Sequence, residues 1–270
     1  MGSAADKLLR RQRNLRSRLC IGLDPDNRFL PPILRTESHP WKKFLREIIA
    51  STQEFACAYK LNLTFYEHFG TAGWELLEDT LAALPAESLV IADAKRGDVP
   101  HTAEIAARTL FESLPFDAVT LNPLLGADSV TPFLSYSDKL VFLLARTSNA
   151  GASDFLTLRC QDGRPLFAHI ILQGLRWGRQ TQIGFVVGAT APEDFALARA
   201  LAPASWFLVP GVGHQGGDLS QLLAANQDGP LVVNVGRSIL YASPGLDFAD
   251  AAARAAQAFA REIGYTPTVE

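Results

Sequence analysis

Cysteine is scarce in this sequence: Cys20, Cys57 and Cys160 are the three among 270 residues, far apart and in no CxxC pair. An odd, dispersed set excludes a disulfide-stapled scaffold. It suits a reducing compartment in which each thiol is a small core residue. HxxxH spacings and clustered Cys/His ligands are missing too, so the chain carries no zinc-type signature. No apolar run approaches the roughly 18 residues of a membrane span, and the N-terminal segment lacks the apolar core of a secretory signal. Met1-Gly2 opens like a myristoylation site, but Asp6 stands where Ser or Thr is wanted. A net charge of −3 removes the global positive field of a nucleic-acid binder. Cations do collect locally, at Lys7, Arg10, Arg11, Arg13, Arg16 and Arg18. With Leu8, Leu9 and Leu15 among them, the stretch over about 4–18 reads as an amphipathic helix docked by its leucines rather than a nucleic-acid or targeting arm. The expectation is a cytoplasmic protein with neither membrane nor nucleic acid as a partner.

What the chain does have is apolar mass, 48% apolar against 20% charged residues, enough for a substantial core. Short runs rich in Val, Ile, Leu and Phe recur at 19–24, 56–62, 89–95, 117–123, 140–147, 184–190, 206–213 and 231–238. Continuous apolar runs of this length suit strands covered on both faces, as in a parallel sheet. Helical patterns lie between them at 41–55, 74–84, 102–114, 192–202 and 248–263. In the first, Phe44, Leu45, Ile48, Ile49 and Phe55 fall largely on one stripe, and Pro40 and Pro192 stand where helices start. Eight strand-then-helix units predict an α/β fold, a (β/α)8 (TIM) barrel forming a single domain over 1–270. An open doubly wound sheet of about five or six strands is the alternative, because periodicity does not report closure. The stretch 148–182, with Gly151, Gly163 and Gly178, reads as an elaborated loop with a helix after the fifth strand.

Polar residues gather at the predicted C-terminal ends of the strands, where barrels of this kind keep their active sites. They include Asp24, Lys60, Asn62, Asn122, Thr190 and the run from Arg146 through Thr147 and Ser148 to Asn149. The densest group is IADAKRGD at 91–98, with Asp93, Lys95, Arg96 and Asp98 close together. Asp93 and Lys95 are spaced i, i+2 and share one face of a strand, and Lys60 on the neighbouring strand can reach the same space. Carboxylates alternating with ammonium groups can neutralise one another in a partly buried network that fixes charge geometry before a substrate arrives. A salt-bridged strand end with no chemistry is the plainer reading of this segment alone; Asp24 and Lys60 weigh against it. The second signal is PGVGHQGG (210–217) with VGRS (235–238). Glycine-dense loops let backbone N–H groups approach an anion, and Arg237 supplies a forked partner. Loops after strands seven and eight are the usual phosphate site of a barrel.

DAKRGD followed by Thr102 resembles the Asp-x-Lys-x-x-Asp signature of the orotidine 5′-monophosphate decarboxylase family. GLDPD, YKLN, TLNPLLGADSVTPF, LARTSNAGASDF, VVGAT, PGVGHQGG and VGRSI occur in the family's order and resemble its longer bacterial type (type 2). The resemblance implies decarboxylation of orotidine 5′-monophosphate to uridine 5′-monophosphate, the last step of de novo pyrimidine nucleotide synthesis, with no cofactor and no metal. It implies Lys95 as proton donor to pyrimidine C6, Asp93 as the carboxylate beside the departing CO2, and Lys60 as its charge partner. Asp24 corresponds to a ribose ligand, Ser148 to a pyrimidine contact, and Gln215, Gly236 and Arg237 to the phosphate grip. Asp98 completes the network and, with Thr102, reaches the neighbouring subunit's site, so a homodimer is implied. Val99, Pro100-His101 and His214 depart from the family's usual residues without removing a charged group.

Three alternatives stand beside this. A Mg²⁺-dependent sugar-phosphate decarboxylase of the same superfamily shares the Asp-x-Lys-x-x-Asp turn but carries an acidic metal ligand where Lys60 stands. A Schiff-base aldolase would need Lys95 or Lys60 desolvated and at low pKa, whereas flanking carboxylates hold a lysine protonated. A silent barrel that only binds a nucleotide or a protein would have no need of all four charged residues.

Overall fold

Eight parallel strands close into a barrel in chain order, with β8 hydrogen-bonded back to β1. The computed structural model describes residues 2–212 and 219–265. Its strands are β1 (Leu19–Gly22), β2 (Ala58–Asn62), β3 (Leu89–Arg96), β4 (Ala118–Leu121), β5 (Leu140–Arg146), β6 (Ile183–Val187), β7 (Phe207–Val209) and β8 (Leu231–Val235). Each coincides with one of the apolar runs to within a residue at either edge or lies inside it. Closure excludes the open doubly wound sheet.

The helices are α1 (Ala4–Leu15), α2 (Pro40–Thr52), α3 (Leu63–Glu67), α4 (Thr71–Ala83), α5 (Pro100–Arg108), α6 (Ala127–Leu134), α7 (Leu166–Trp177), α8 (Pro192–Leu201), α9 (Leu219–Asn226), α10 (Arg237–Leu240) and α11 (Phe248–Ile263). Pro40, Pro100 and Pro192 each open a helix, where the missing N–H is no loss. Helix α2 buries Phe44, Leu45, Ile48 and Ile49 but stops at Thr52, so Phe55 packs from beyond its end. The pattern at 102–114 splits into α5 and a π turn over Thr109–Ser113. The segment after β5 holds a 3-10 turn (Ala150–Asp154), a bridge between Arg159 and Pro165, and α7.

Two apolar layers hold the barrel. Outward side chains of the strands meet the helices, while inward ones form a second cluster with Cys20, Cys57, Ile91, Phe142 and Trp206. Helix α1 closes the floor of that inner cluster. Its Ala4 and Leu8 join the cluster, and burying Leu8 completely is worth about 2 kcal/mol. Gln12, also buried, donates to the Leu231 carbonyl at 2.8 Å. The basic stretch serves this docking: Lys7 pairs with Asp117 at 2.7 Å, and Arg11 donates to the Gln53 carbonyl at 2.7 Å. Arg18 donates to the carbonyls of Ile263 and Gly264, tying the start of β1 to the end of α11.

Candidate active site

Alternate residues of a barrel strand point inward, and along several strands here the inward series turns from apolar to polar. From floor to mouth, β2 runs Ala58, Lys60, Asn62; β3 runs Leu89, Ile91, Asp93; β4 runs Ala118, Thr120; β8 runs Val232, Asn234. The floor is therefore packed and the C-terminal mouth is chemical. The mouth holds a cavity of about 330 Å³ bordered by Asp24, Lys60, Asp93, Lys95, Ser148 and Asn234, among others.

Asp93 is the hub. Its Oδ2 accepts from Lys60 Nζ at 2.9 Å, and its Oδ1 accepts from Lys95 Nζ at 2.6 Å and from Thr120 Oγ1 at 3.0 Å. Burial on its own would push the Asp93 carboxyl up; the charges of Lys60 and then Lys95 outweigh it and hold the group far below the ordinary carboxylate range. Burial on its own would lower Lys60; Asp24 and then Asp93 outweigh it and hold the ammonium above its ordinary value. The two lysines differ in access. Lys60 is enclosed, with its side chain 6% exposed, whereas the Lys95 side chain is 48% exposed and free to meet a ligand.

The strand bends where these charges meet. Lys95 adopts φ +48°, a left-handed conformation rare outside glycine, and the β3–β4 register shifts between Ala92 and Arg96. Gly97 follows at a point where a Cβ would lie 2.4 Å from the Asn122 carbonyl oxygen, so no side chain fits there. Asp24 enters from the loop after β1. Its Oδ1 accepts from the Asn62 N–H at 3.2 Å, and Tyr241 donates to its backbone carbonyl at 2.7 Å. Burial pushes the Asp24 carboxyl above its ordinary value, against the opposing charge of Lys60.

Ser148 reaches the cavity from the loop after β5. Arg146 braces that loop, donating to Asp194 at 2.8 Å and to the Thr147 carbonyl at 2.9 Å. Gly188 lets the loop pack closely, since a Cβ there would lie 2.8 Å from Ser148 Cα. A second cavity of about 150 Å³ adjoins the first, sharing Asp24, Pro210 and Asn234 and bordered by Gly236 and Arg237. Gln215 and His214 lie outside the described residues. The structure thus brings Asp24, Lys60, Asp93, Lys95, Ser148, Gly236 and Arg237 around two adjoining cavities at the mouth.

Asp98 and Thr102 are elsewhere. Both are exposed, and Asp98 Oδ1 accepts from the adjacent Val99 N–H at 2.7 Å rather than joining the lysines of its own chain. Two residues of the mouth, Thr120 and Asn234, escaped the sequence reading. The available signal was a polar residue at an inward position of an otherwise apolar run, which is rare unless it is hydrogen-bonded or functional.

Comparison with known proteins matches this geometry. The family model of orotidine 5′-phosphate decarboxylase / HUMPS matches residues 17–254. An orotidine 5′-phosphate decarboxylase of Herpetosiphon aurantiacus is 46% identical over 245 residues, covering 90% of this chain and 91% of the relative. One of Dehalococcoides mccartyi is 44% identical over 258 residues, covering 93% and 94% respectively. Among solved structures, the OMP decarboxylase of Leishmania donovani superposes with a TM-score of 0.83 at 36% identity, covering 97% of both chains. With the barrel, the charged mouth and relatives that align almost end to end, the chain belongs to the orotidine 5′-phosphate decarboxylase / HUMPS family.

Proposed function

We propose that the chain decarboxylates orotidine 5′-monophosphate to uridine 5′-monophosphate and CO2, the closing step of pyrimidine nucleotide synthesis, using the charges of Lys60, Asp93 and Lys95. The observation that carries this is the alternation of ammonium, carboxylate and ammonium at 2.9 and 2.6 Å, in a cavity that adjoins the one beside Gly236 and Arg237. Breaking the bond from C6 to the carboxylate leaves an electron pair in the ring plane, where no carbonyl can accept it. Stabilisation then has to come from positive charge already in place, and Lys95 supplies it. The accessible Lys95 Nζ gives a proton to C6 as CO2 departs, so the pair ends in a C–H bond. Asp93, kept ionised by its two ammonium partners, stands against the substrate carboxylate and raises the ground state relative to the transition state. Lys60, enclosed and held protonated, keeps Asp93 in place; an amine so held is no Schiff-base nucleophile. It also fills the space between Asp24 and Asp93 with a cation fixed by the chain, which disfavours the Mg²⁺-dependent alternative.

Asp24 takes the ribose, Ser148 the pyrimidine, and Gly236, Arg237 and Gln215 the phosphate, whose binding energy is spent far from the reacting bond. Asp98 and Thr102 serve the site of a second copy, making the working form a homodimer. Exposed Val99 and Ile105 beside them, with Leu124 and Leu125 just past Asn122, give that contact its apolar area. The chain works as one barrel domain, and its unpaired cysteines suit the cytoplasm. Adding purified protein to orotidine monophosphate should convert the ultraviolet spectrum of the orotidine nucleotide to that of the uridine nucleotide, and no turnover would end the assignment. Mixing inactive Asp98→Ala and Lys95→Ala chains should restore activity through one repaired site per heterodimer. No recovery despite demonstrated exchange of subunits would show each chain to be self-sufficient.

A further inference from the structure

The β3–β4 ladder breaks where the site begins. Ala92 pairs with Val119 and the next pair is Arg96 with Leu121, so residues 93–95 stand opposite Thr120 alone. In such a bulge the strand bends, and its surplus N–H groups lose their ladder acceptors. Lys95 takes up the bend at φ +48°, a conformation that costs a non-glycine residue on the order of 1 kcal/mol.

Its N–H is not left unpaired. It donates to Thr120 Oγ1 at 3.0 Å, and the same hydroxyl donates to Asp93 Oδ1 at 3.0 Å. The directions are forced: an amide only donates and an ionised carboxylate only accepts, so the hydroxyl must take from one and give to the other. Thr120 is 1% exposed, so bulk water does not compete for either bond, and its β-branch restricts the rotamer. One enclosed hydroxyl therefore joins the backbone kink that aims Lys95 to the carboxylate that pairs with it.

We infer that Thr120 is a positioning residue for the decarboxylation. Its hydroxyl holds Lys95 in the left-handed kink, and it turns Asp93 so that Oδ1 meets Lys95 while Oδ2 meets Lys60. The naming of the reaction rests on the reading above; the positioning itself does not. Thr120 borders the cavity of Lys60, Asp93 and Lys95 and not the one beside Gly236 and Arg237, so loss of its hydroxyl should act on the chemical step more than on binding. A displacement of about 1 Å at a reacting group costs roughly 100-fold in rate.

The test compares T120V, which keeps the volume and removes the hydroxyl, with T120S, which keeps the hydroxyl. The expected result is a fall in kcat of roughly 100-fold for T120V with KM changed by less than about threefold, and T120S within a few-fold of wild type. If T120V does not fold, T120A carries the same expectation. Wild-type kcat in the hydroxyl-free variant, or T120S as slow as T120V, would overturn the inference. Should the wild type not turn over orotidine monophosphate, the reaction assignment fails instead, and a crystal structure of T120V then decides. Lys95 relaxed to negative φ and parted from Asp93 supports the positioning role; an unchanged kink and ion pair overturn it.

Discussion

Lys60 and Arg199 are both buried cations, 5% and 2% exposed, and the chain meets their desolvation in opposite ways at opposite ends of the barrel. Removing an ion from water costs several kcal/mol unless partners replace the solvent. At the mouth, Lys60 is given carboxylates: Asp93 in contact at 2.9 Å and Asp24 nearby, which together hold it protonated. At the N-terminal end of the strands, Arg199 is given dipoles. It donates to the carbonyls of Ala202, Pro203, Ser205 and Pro230 and to Asn226 Oδ1, and its guanidinium lies 3.7 Å from the centre of the Phe207 ring. No carboxylate pairs with it among the described residues, and burial pulls its pKa down to about 9, so it remains charged at neutral pH. A cation satisfied by fixed carbonyls is locked into the frame and offers nothing to a ligand. One satisfied by carboxylates leaves a charged network that a substrate can enter, which is why one end of the barrel is built for stability and the other for chemistry.

Substitution at each cation separates the two roles. Lys60→Met should lower kcat by roughly 10²–10³-fold, because Asp93 loses one of the charges that fixes it. It should also add an acid limb to the activity profile. In the wild type the depressed Asp93 pKa keeps the carboxylate ionised through the ordinary carboxylate range. Its stabilising contribution is present above the unfolded value of about 3.9 and is lost only as pH falls through the lower folded value. With Lys60 gone, that folded value moves up toward the ordinary range, and a pH–rate series would show the limb. Arg199→Met should do the reverse, costing about 3 kcal/mol in denaturant unfolding while the folded fraction keeps its kcat. A large kcat loss in that variant at full folding would erase the distinction between the two ends.

The smallest expected effect is at Asp24. Burial raises its folded pKa, so the folded state binds the proton more tightly and the ionised group opposes folding once pH exceeds the ordinary carboxylate value. Asp24→Asn should therefore raise the melting temperature near neutral pH while weakening nucleotide binding, as calorimetry and titration would record. A lower melting temperature would mean that the Asn62 and Lys60 contacts outweigh the burial of this carboxylate.

The mouth was partly legible in the sequence because chemistry and periodicity coincide there. The i, i+2 spacing of Asp93 and Lys95 announced a shared face, and Lys60 stands on the next strand two residues below the level of Asp93, which its long side chain spans. Thr120 and Asn234 were harder, since a threonine or asparagine in a strand is ordinary until the inward parity of the whole barrel is known. The bulge at Lys95 was not legible at all: the run 89–95 reads as a regular strand to its end, and nothing local shows that the Lys95 N–H will meet a hydroxyl from β4. Helix α6 was hidden by Pro132 inside it and by its eight-residue length. Closure of the sheet depends on β1 meeting β8, a contact that no local pattern encodes. The basic N-terminal stretch, by contrast, was readable from Leu8 and its neighbours as a docked helix.

The claim that fixed charge at the mouth performs the reaction is tested most directly by Lys95→Ala. The variant removes the accessible ammonium and leaves the enclosed Lys60–Asp93 pair. The expected result, with orotidine monophosphate as substrate and an unchanged melting curve, is a loss of roughly 10³-fold or more in kcat/KM. Turnover within tenfold of wild type would contradict it.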